Sequence, residues 1–227
     1  MAEHAAPVII SHAHRFIFFA VPKTGTQAVR QALSTHLGPE DWQQHALYGQ
    51  ARLPIAALAA KGHGHLSVRE VAPRLDRDTW NAYFKFAFVR NPFERFVSAY
   101  LFLFRNSPAA KERGPTQITE GMKAALSRPK FRRRVLITPQ TELLTDADGR
   151  LALDHLGRHE RLQADFDEIA QRLGLPPTPL PVRNATEHAH YSHYYDDELK
   201  EMVGALYDQD LSRFRYRFGT TASAPPA

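Results

Sequence analysis

Cysteine is missing from the whole chain of 227 residues. This excludes a disulfide, a thiol nucleophile and a thiolate metal site, and it fits a reducing compartment. Long apolar runs are missing too. None approaches the roughly 20 residues of a membrane span, and the first stretch, MAEHAAPVIISHAHR, lacks the basic start and extended apolar core of a secretory signal. A cytoplasmic protein without a membrane span is the expectation. No internal repeat is visible, and low complexity is confined to the tail TTASAPPA, which has too little apolar content to pack. Acidic residues are the minority, 24 Asp and Glu against 29 Lys and Arg, giving a formal net charge of +5. So modest an excess favours an anionic ligand without requiring one.

What is present suffices for a sizeable core: 43% of residues are hydrophobic and 11% aromatic. One α/β domain is expected over residues 15–218, after an N-terminal segment 1–14 and before a flexible tail 219–227. Phe16 to Val21 is short, aromatic, β-branched and apolar on both faces, which predicts a buried strand of a parallel sheet. After Gly25 the apolar residues Val29, Ala32, Leu33 and Leu37 recur at helical spacing, and Gly38 is the expected stop. A second strand is read at 83–89, broken by Arg90-Asn91-Pro92 and followed by a helix with Asn91 as N-cap and Pro92 at the first helical position. Its buried stripe is Phe93, Phe96, Val97, Tyr100, Leu101 and Phe104. A later helix buries Leu162, Phe166, Ile169, Ala170 and Leu173 and stops at Gly174; another buries Leu199, Met202, Val203 and Leu206. Residues 39–80 read as helices and loops over the sheet.

The loop Pro22-Lys23-Thr24-Gly25-Thr26 has the character of an anion site. A strand feeding a helix through a glycine loop aims several amide hydrogens and the positive helix end at one point. Lys23 adds charge, Thr24 and Thr26 add hydroxyls, and Gly25 lets a ligand approach the backbone. The spacing differs from G-x-x-x-x-G-K-[ST], because the lysine precedes the only glycine. A loop that merely turns the chain is the competing reading. In the second unit, Arg90, Glu94 and Ser98 follow at intervals of four, so Ser98 lies off the core face. Arg90 and Ser98 could grip a second phosphate, although a solvated helix serine is the plainer alternative. Two phosphate grips suit a nucleotide phosphorylated at both ends.

PKTGTQ at 22–27, with FVRNPFERFVSAY at 88–100, closely resembles the two cofactor motifs of the sulfotransferases, and most nearly their carbohydrate branch (chondroitin, dermatan, HNK-1 and uronyl 2-O-sulfotransferases). Weaker similarity continues through GRHERLQADFDEIAQRLGL and LSRFRYRF. The resemblance implies a P-loop-like three-layer α/β/α fold with a central parallel sheet. It also implies use of 3′-phosphoadenosine 5′-phosphosulfate (PAPS), with 3′-phosphoadenosine 5′-phosphate (PAP) as product, and no metal. Carried over, Pro22, Lys23, Thr24, Gly25, Thr26 and Gln27 hold the 5′-phosphosulfate, and Arg90 and Ser98 the 3′-phosphate. Arg183 and Asn184, in RNAT, fall where family members return a loop over the nucleotide.

Transfer to an alcohol needs a base for the hydroxyl proton and a cation for the departing phosphate oxygen. Lys23 suits the second task. For the first, GHGHLS at 62–67 resembles the His-Gly-His stretch of heparan sulfate 2-O-sulfotransferases, which points to His65 as base with His63 beside it. Histidines that only cap a loop are the alternative, with Glu94, His159 or Glu160 as further candidate bases. The acceptor is expected to be a hydroxyl-bearing carbohydrate, and the basic run Arg132-Arg133-Arg134 could attract an anionic one, or be a solvated face. His188, His190 and His193 are close in sequence, but the spacing is not diagnostic of a metal. The readings from other classes are a non-carbohydrate acceptor, an ATP-dependent phosphotransferase, which should show a Walker lysine and a metal-holding acid, and a non-catalytic nucleic-acid binder, which should show exposed stacking aromatics. Neither pattern is evident, so no nucleic-acid partner is expected.

Overall fold

The computed structural model describes residues 8–43, 55–60, 64–106, 114–181 and 190–219. The chain divides into two compact units, Met1–Val89 with Glu142–Arg183, and Arg90–Thr141 with Asn184–Ala227. In sequence, β1 (Ile9–Ser11), β2 (Phe16–Phe19), α1 (Thr26–Ser34) and β3 (Trp42–Gln43) are followed by α2 (Ala56–Ala59), α3 (Val68–Val71), α4 (Arg77–Ala82) and β4 (Phe84–Val89). Next come α5 (Pro92–Phe104), α6 (Pro115–Leu126), α7 (Pro129–Arg132) and α8 (Gln140–Leu144), then β5 (His155–Arg158), α9 (Leu162–Arg172), α10 (Asp197–Leu206) and α11 (Asp208–Phe214).

The first unit is built on a sheet of order β3-β1-β2-β4-β5. β2, β4 and β5 run parallel, whereas β1 is antiparallel to both β2 and β3. The sheet is therefore mixed, which corrects the expectation of a parallel one. The cause is local: the short turn His12–Arg15 can join only antiparallel neighbours, because a parallel crossover needs a dozen residues or more. The buried carboxylate of Asp41 holds that turn, accepting Ser11 Oγ at 2.9 Å and the amides of His12 at 2.6 Å, Ala13 at 3.1 Å and Gly38 at 3.0 Å. β1 thus lies within residues 1–14, which the sequence pattern set apart from the domain.

Alternation sorts the sheet's side chains. Phe16, Phe18 and Ala20, with Phe86 and Phe88 of β4, pack with Val29, Ala32 and Leu33 of α1 and Phe166, Ile169 and Ala170 of α9. Phe19 points the other way, its ring meeting Trp80 of α4 edge-on at 6.3 Å. Each such buried aromatic or aliphatic side chain contributes of order 1.5–3 kcal/mol. Gly174 ends α9 with φ of 67°, Leu175 N bonding back to Ala170 O at 2.9 Å, as expected of a glycine C-terminal stop. α1 differs from its expectation: it stops at Ser34, ahead of Gly38. There Ser34 Oγ donates to Gln31 O and Thr35 Oγ1 to Ala32 O, both at 2.8 Å, and such hydroxyls compete with the helical ladder.

The second unit is helical. Phe93, Phe96, Val97 and Tyr100 of α5 are buried against Ile118 and Met122 of α6 and Leu199 and Val203 of α10, with Leu101 and Phe104 partly buried beside them. Asn91 caps α5, accepting from Phe93 N at 3.1 Å, and Pro92 occupies the first helical position. Arg95 interrupts the apolar pattern, being fully buried on the same helix. Its guanidinium donates to Leu136 O at 3.3 Å and Thr138 O at 2.8 Å and lies 5.0 Å from the Tyr207 ring, contacts that offset the cost of burying a charge.

Candidate functional site

In the first unit, the chain leaving β2 stays buried through Ala20, Val21 and Pro22 and then turns. Lys23 and Gly25 both adopt left-handed conformations, φ 67° and 83°. Left-handed residues in such a turn direct consecutive amide hydrogens into one concave face, a geometry that accepts anions. Thr24 is fully buried and its hydroxyl donates to Val21 O at 3.0 Å, so this side chain shapes the loop. Gly25 stands at the N-cap of α1 with no side-chain cap, while Ala28 N and Val29 N bond to Gly25 O. The amides of Thr26 and Gln27 thus precede the helical ladder, at the positive end of the helix.

The loop's far wall is close. A Cβ on Gly25 would lie 2.5 Å from Leu162 Cδ2 and 3.2 Å from His159 Nδ1. A larger residue would have to displace the Leu162 side chain, and the positive φ independently favours glycine. His159 and Glu160 form a 3₁₀ turn, His159–Arg161, that follows β5. His65 is also at this end of β2. It is buried, and its Nδ1 lies 2.6 Å from Ala20 O. A carbonyl can only accept, so Nδ1 carries the hydrogen, and in the neutral ring Nε2 keeps the lone pair. His63 lies outside the described residues, as do Arg183, Asn184 and His188.

In the second unit, Arg90 Nη2 meets Glu94 Oε1 at 2.6 Å. Glu94 and Ser98 are half-buried, off the core face of α5. The backbone of Arg90 is held by Gln140, whose Oε1 accepts Arg90 N and whose Nε2 donates to Arg90 O, both at 2.9 Å. Gln140 is in turn bonded to the buried carboxylate of Asp210 on α11. Neither residue stands out in the sequence, since the partners are 50 and 70 positions apart and no spacing signals them. Of the remaining clusters, Arg132, Arg133 and Arg134 are exposed beside a buried Phe131, and His190 and His193 are exposed, His190 Nδ1 lying 2.7 Å from Ser192 Oγ. Among the described residues no group of three or more His, Asp or Glu is arranged to hold a metal ion, and no helix is long and apolar enough to cross a membrane.

The sulfotransferase family profile matches residues 6–217. The chain belongs to the sulfotransferase family. Similar curated proteins are carbohydrate sulfotransferase 14 of Danio rerio, 23% identical over 95% of this chain, and carbohydrate sulfotransferase 14 of Homo sapiens and of Mus musculus, each 25% identical over 78% of it. The chain spans 64% of the fish protein's length and 50% of each mammalian one. No solved structure matches significantly. In this sulfotransferase-family chain, both motif stretches fall where an element turns: 22–27 between β2 and α1, and 88–100 from the end of β4 into α5.

Proposed function

We propose that this chain transfers a sulfuryl group from PAPS to a hydroxyl of a carbohydrate acceptor. The observation that carries the reading is the Pro22–Gln27 turn of a sulfotransferase-family chain: two left-handed residues, a glycine closely approached by Leu162 and His159, and a helix start without a side-chain cap. That cradle of amide hydrogens suits a 5′-phosphosulfate. The parallel core β2-β4-β5 around the strand-loop-helix start supports a P-loop-like arrangement. Arg90 and Ser98 suit a 3′-phosphate, one supplying charge and the other a hydroxyl donor. The acceptor class rests on the names of the relatives, and the exposed Arg132–Arg134 run favours an acceptor that is itself anionic.

PAPS supplies the sulfuryl group, whose sulfur forms a bond to the acceptor oxygen as its bond to the phosphate oxygen breaks. His65 Nε2 takes the hydroxyl proton, and the hydrogen on Nδ1, held by Ala20 O, stabilises the imidazolium that results. Lys23 offsets the charge that develops on the departing phosphate oxygen.

The test is a binding comparison of PAP, AMP, ATP and NADPH, followed by mass detection of sulfated product from PAPS and carbohydrate acceptors. PAP is expected to bind about 10- to 100-fold more tightly than AMP, because a charged hydrogen-bonded contact contributes roughly 1.5–3 kcal/mol. Equal affinities for PAP and AMP would overturn the reading.

A further inference from the structure

Arg90 has both of its backbone polar groups bonded to a single side chain. Gln140 accepts from Arg90 N and donates to Arg90 O, each at 2.9 Å, so a primary amide supplies the paired bonds that a neighbouring strand would otherwise make. The orientation of that amide is fixed by its other partner. Gln140 Nε2 lies 3.3 Å from Asp210 Oδ2, and a carboxylate only accepts, so nitrogen faces Asp210 and oxygen faces Arg90 N.

Asp210 is itself over-determined. It is fully buried, and its carboxylate also accepts Gln140 N, Thr141 N and Thr141 Oγ1, each at 2.8 Å. The segment leading into Gln140 is anchored from α5 by the bonds of Arg95 to Leu136 O and Thr138 O. A buried carboxylate is costly unless hydrogen bonds compensate it, and this one accepts four. What this one holds in place, through Gln140, is the backbone of the residue whose guanidinium meets Glu94.

We propose that Gln140, oriented by Asp210, is the positioning residue of the second phosphate grip: it fixes the backbone of Arg90 so that the guanidinium stands ready for the nucleotide's 3′-phosphate. This inference rests on the PAPS reading above. Gln140 and Asp210 touch no phosphate themselves; their effect passes through Arg90 alone.

The experiment uses the full chain and titrates PAP and AMP into the parent, Gln140→Met, Arg90→Ala and the double variant. Gln140→Met keeps the side-chain volume and removes both hydrogen bonds to Arg90 together with the one to Asp210. It is expected to weaken PAP about 10-fold or more while AMP changes by less than about 3-fold, and to add less than about 2-fold in the Arg90→Ala background. If Gln140→Met does not fold, Gln140→Asn makes the same comparison, since it keeps a neutral amide but, one methylene shorter, draws it back from the Arg90 backbone. The inference is overturned if the variant keeps the parent's preference for PAP, if PAP and AMP weaken equally, or if the PAP loss persists without Arg90. A parent that prefers PAP and loses this preference on Arg90→Ala but not on Gln140→Met sinks the positioning role and leaves the donor reading standing. A parent with no preference for PAP sinks both.

Discussion

His65 Nδ1 lies 2.6 Å from the carbonyl oxygen of Ala20, the residue that leads from β2 into the Pro22–Gln27 loop. The hydrogen bond commits one ring nitrogen and leaves Nε2 as the acceptor. His65→Ala is expected to bind PAP as the parent does and to lose on the order of 10²- to 10⁴-fold in transfer rate, the range for a positioned base. The parent rate should fall in acid, because imidazolium has no lone pair to take the hydroxyl proton. Steady-state rates with PAPS across pH, set beside PAP titrations, check this; near-parental turnover in His65→Ala would remove the residue from the mechanism.

Lys23 combines a charge with a left-handed backbone, and two substitutions separate them. Lys23→Ala and Lys23→Gly should both lose turnover far more than PAP affinity, since the charge acts on the oxygen that becomes anionic. Lys23→Gly should be the more stable of the two by roughly 1 kcal/mol, because glycine adopts φ of 67° without strain. Denaturant unfolding of the pair is the measurement, and equal stabilities would speak against strain at this position.

Gly25→Ala meets two obstacles, a left-handed φ and a Cβ 2.5 Å from Leu162 Cδ2. The expected cost is about 1–3 kcal/mol, with loss of PAP binding. Combining it with Leu162→Ala should relieve the steric part and leave the conformational part, so the double variant is more stable than additivity allows. Strict additivity would show that Leu162 is not the obstacle.

Tyr207 responds to alkali. Burial, outweighing the nearby Arg95, pushes its phenol up to about 12 from 10.0, and its hydroxyl donates to Ile137 O at 2.9 Å. A phenol raised in the folded state stabilises fully below its unfolded value and loses that contribution as pH rises from about 10 through about 12. Tyr207→Phe should therefore be less stable than the parent at pH 8, by about 0.5–1.5 kcal/mol for the lost hydrogen bond, with the gap narrowing between about pH 10 and 12. Urea midpoints across that range test it; a gap that stays constant would mean the hydroxyl is not protected.

Legibility in the sequence followed range. β2 with the loop into α1, and β4 with the Asn91 cap of α5, depend on neighbours within a few positions, and periodicity and capping chemistry revealed both. β1 and β3 are too short for periodicity to register, and the carboxylate that pins the turn between β1 and β2, Asp41, lies 30 residues from Ser11. The antiparallel edge therefore leaves no local mark in the sequence, whereas the apolar runs of β2 and β4 point to a parallel sheet. The stop of α1 is hard to read because Gly38 is a stronger signal in the sequence than the hydroxyls of Ser34 and Thr35. At the candidate site, the charged and glycine residues announced themselves by type, while Gln140 and Asp210 resemble ordinary surface residues until the fold buries them.

The distances along the chain bear on the order of synthesis. Asp210 is translated long after Arg90, and Arg217, whose carbonyl accepts Asn91 Nδ2 at 3.0 Å, later still. A nascent chain emerging from the ribosome thus exposes Arg90 and Asn91 well before it has the residues that bond to them, and these contacts can form only after α11 and Arg217 have been made. Proteolytic trimming that removes α11 would return the chain to that unfinished state, with α5 made and the support of Arg90, just ahead of it, gone.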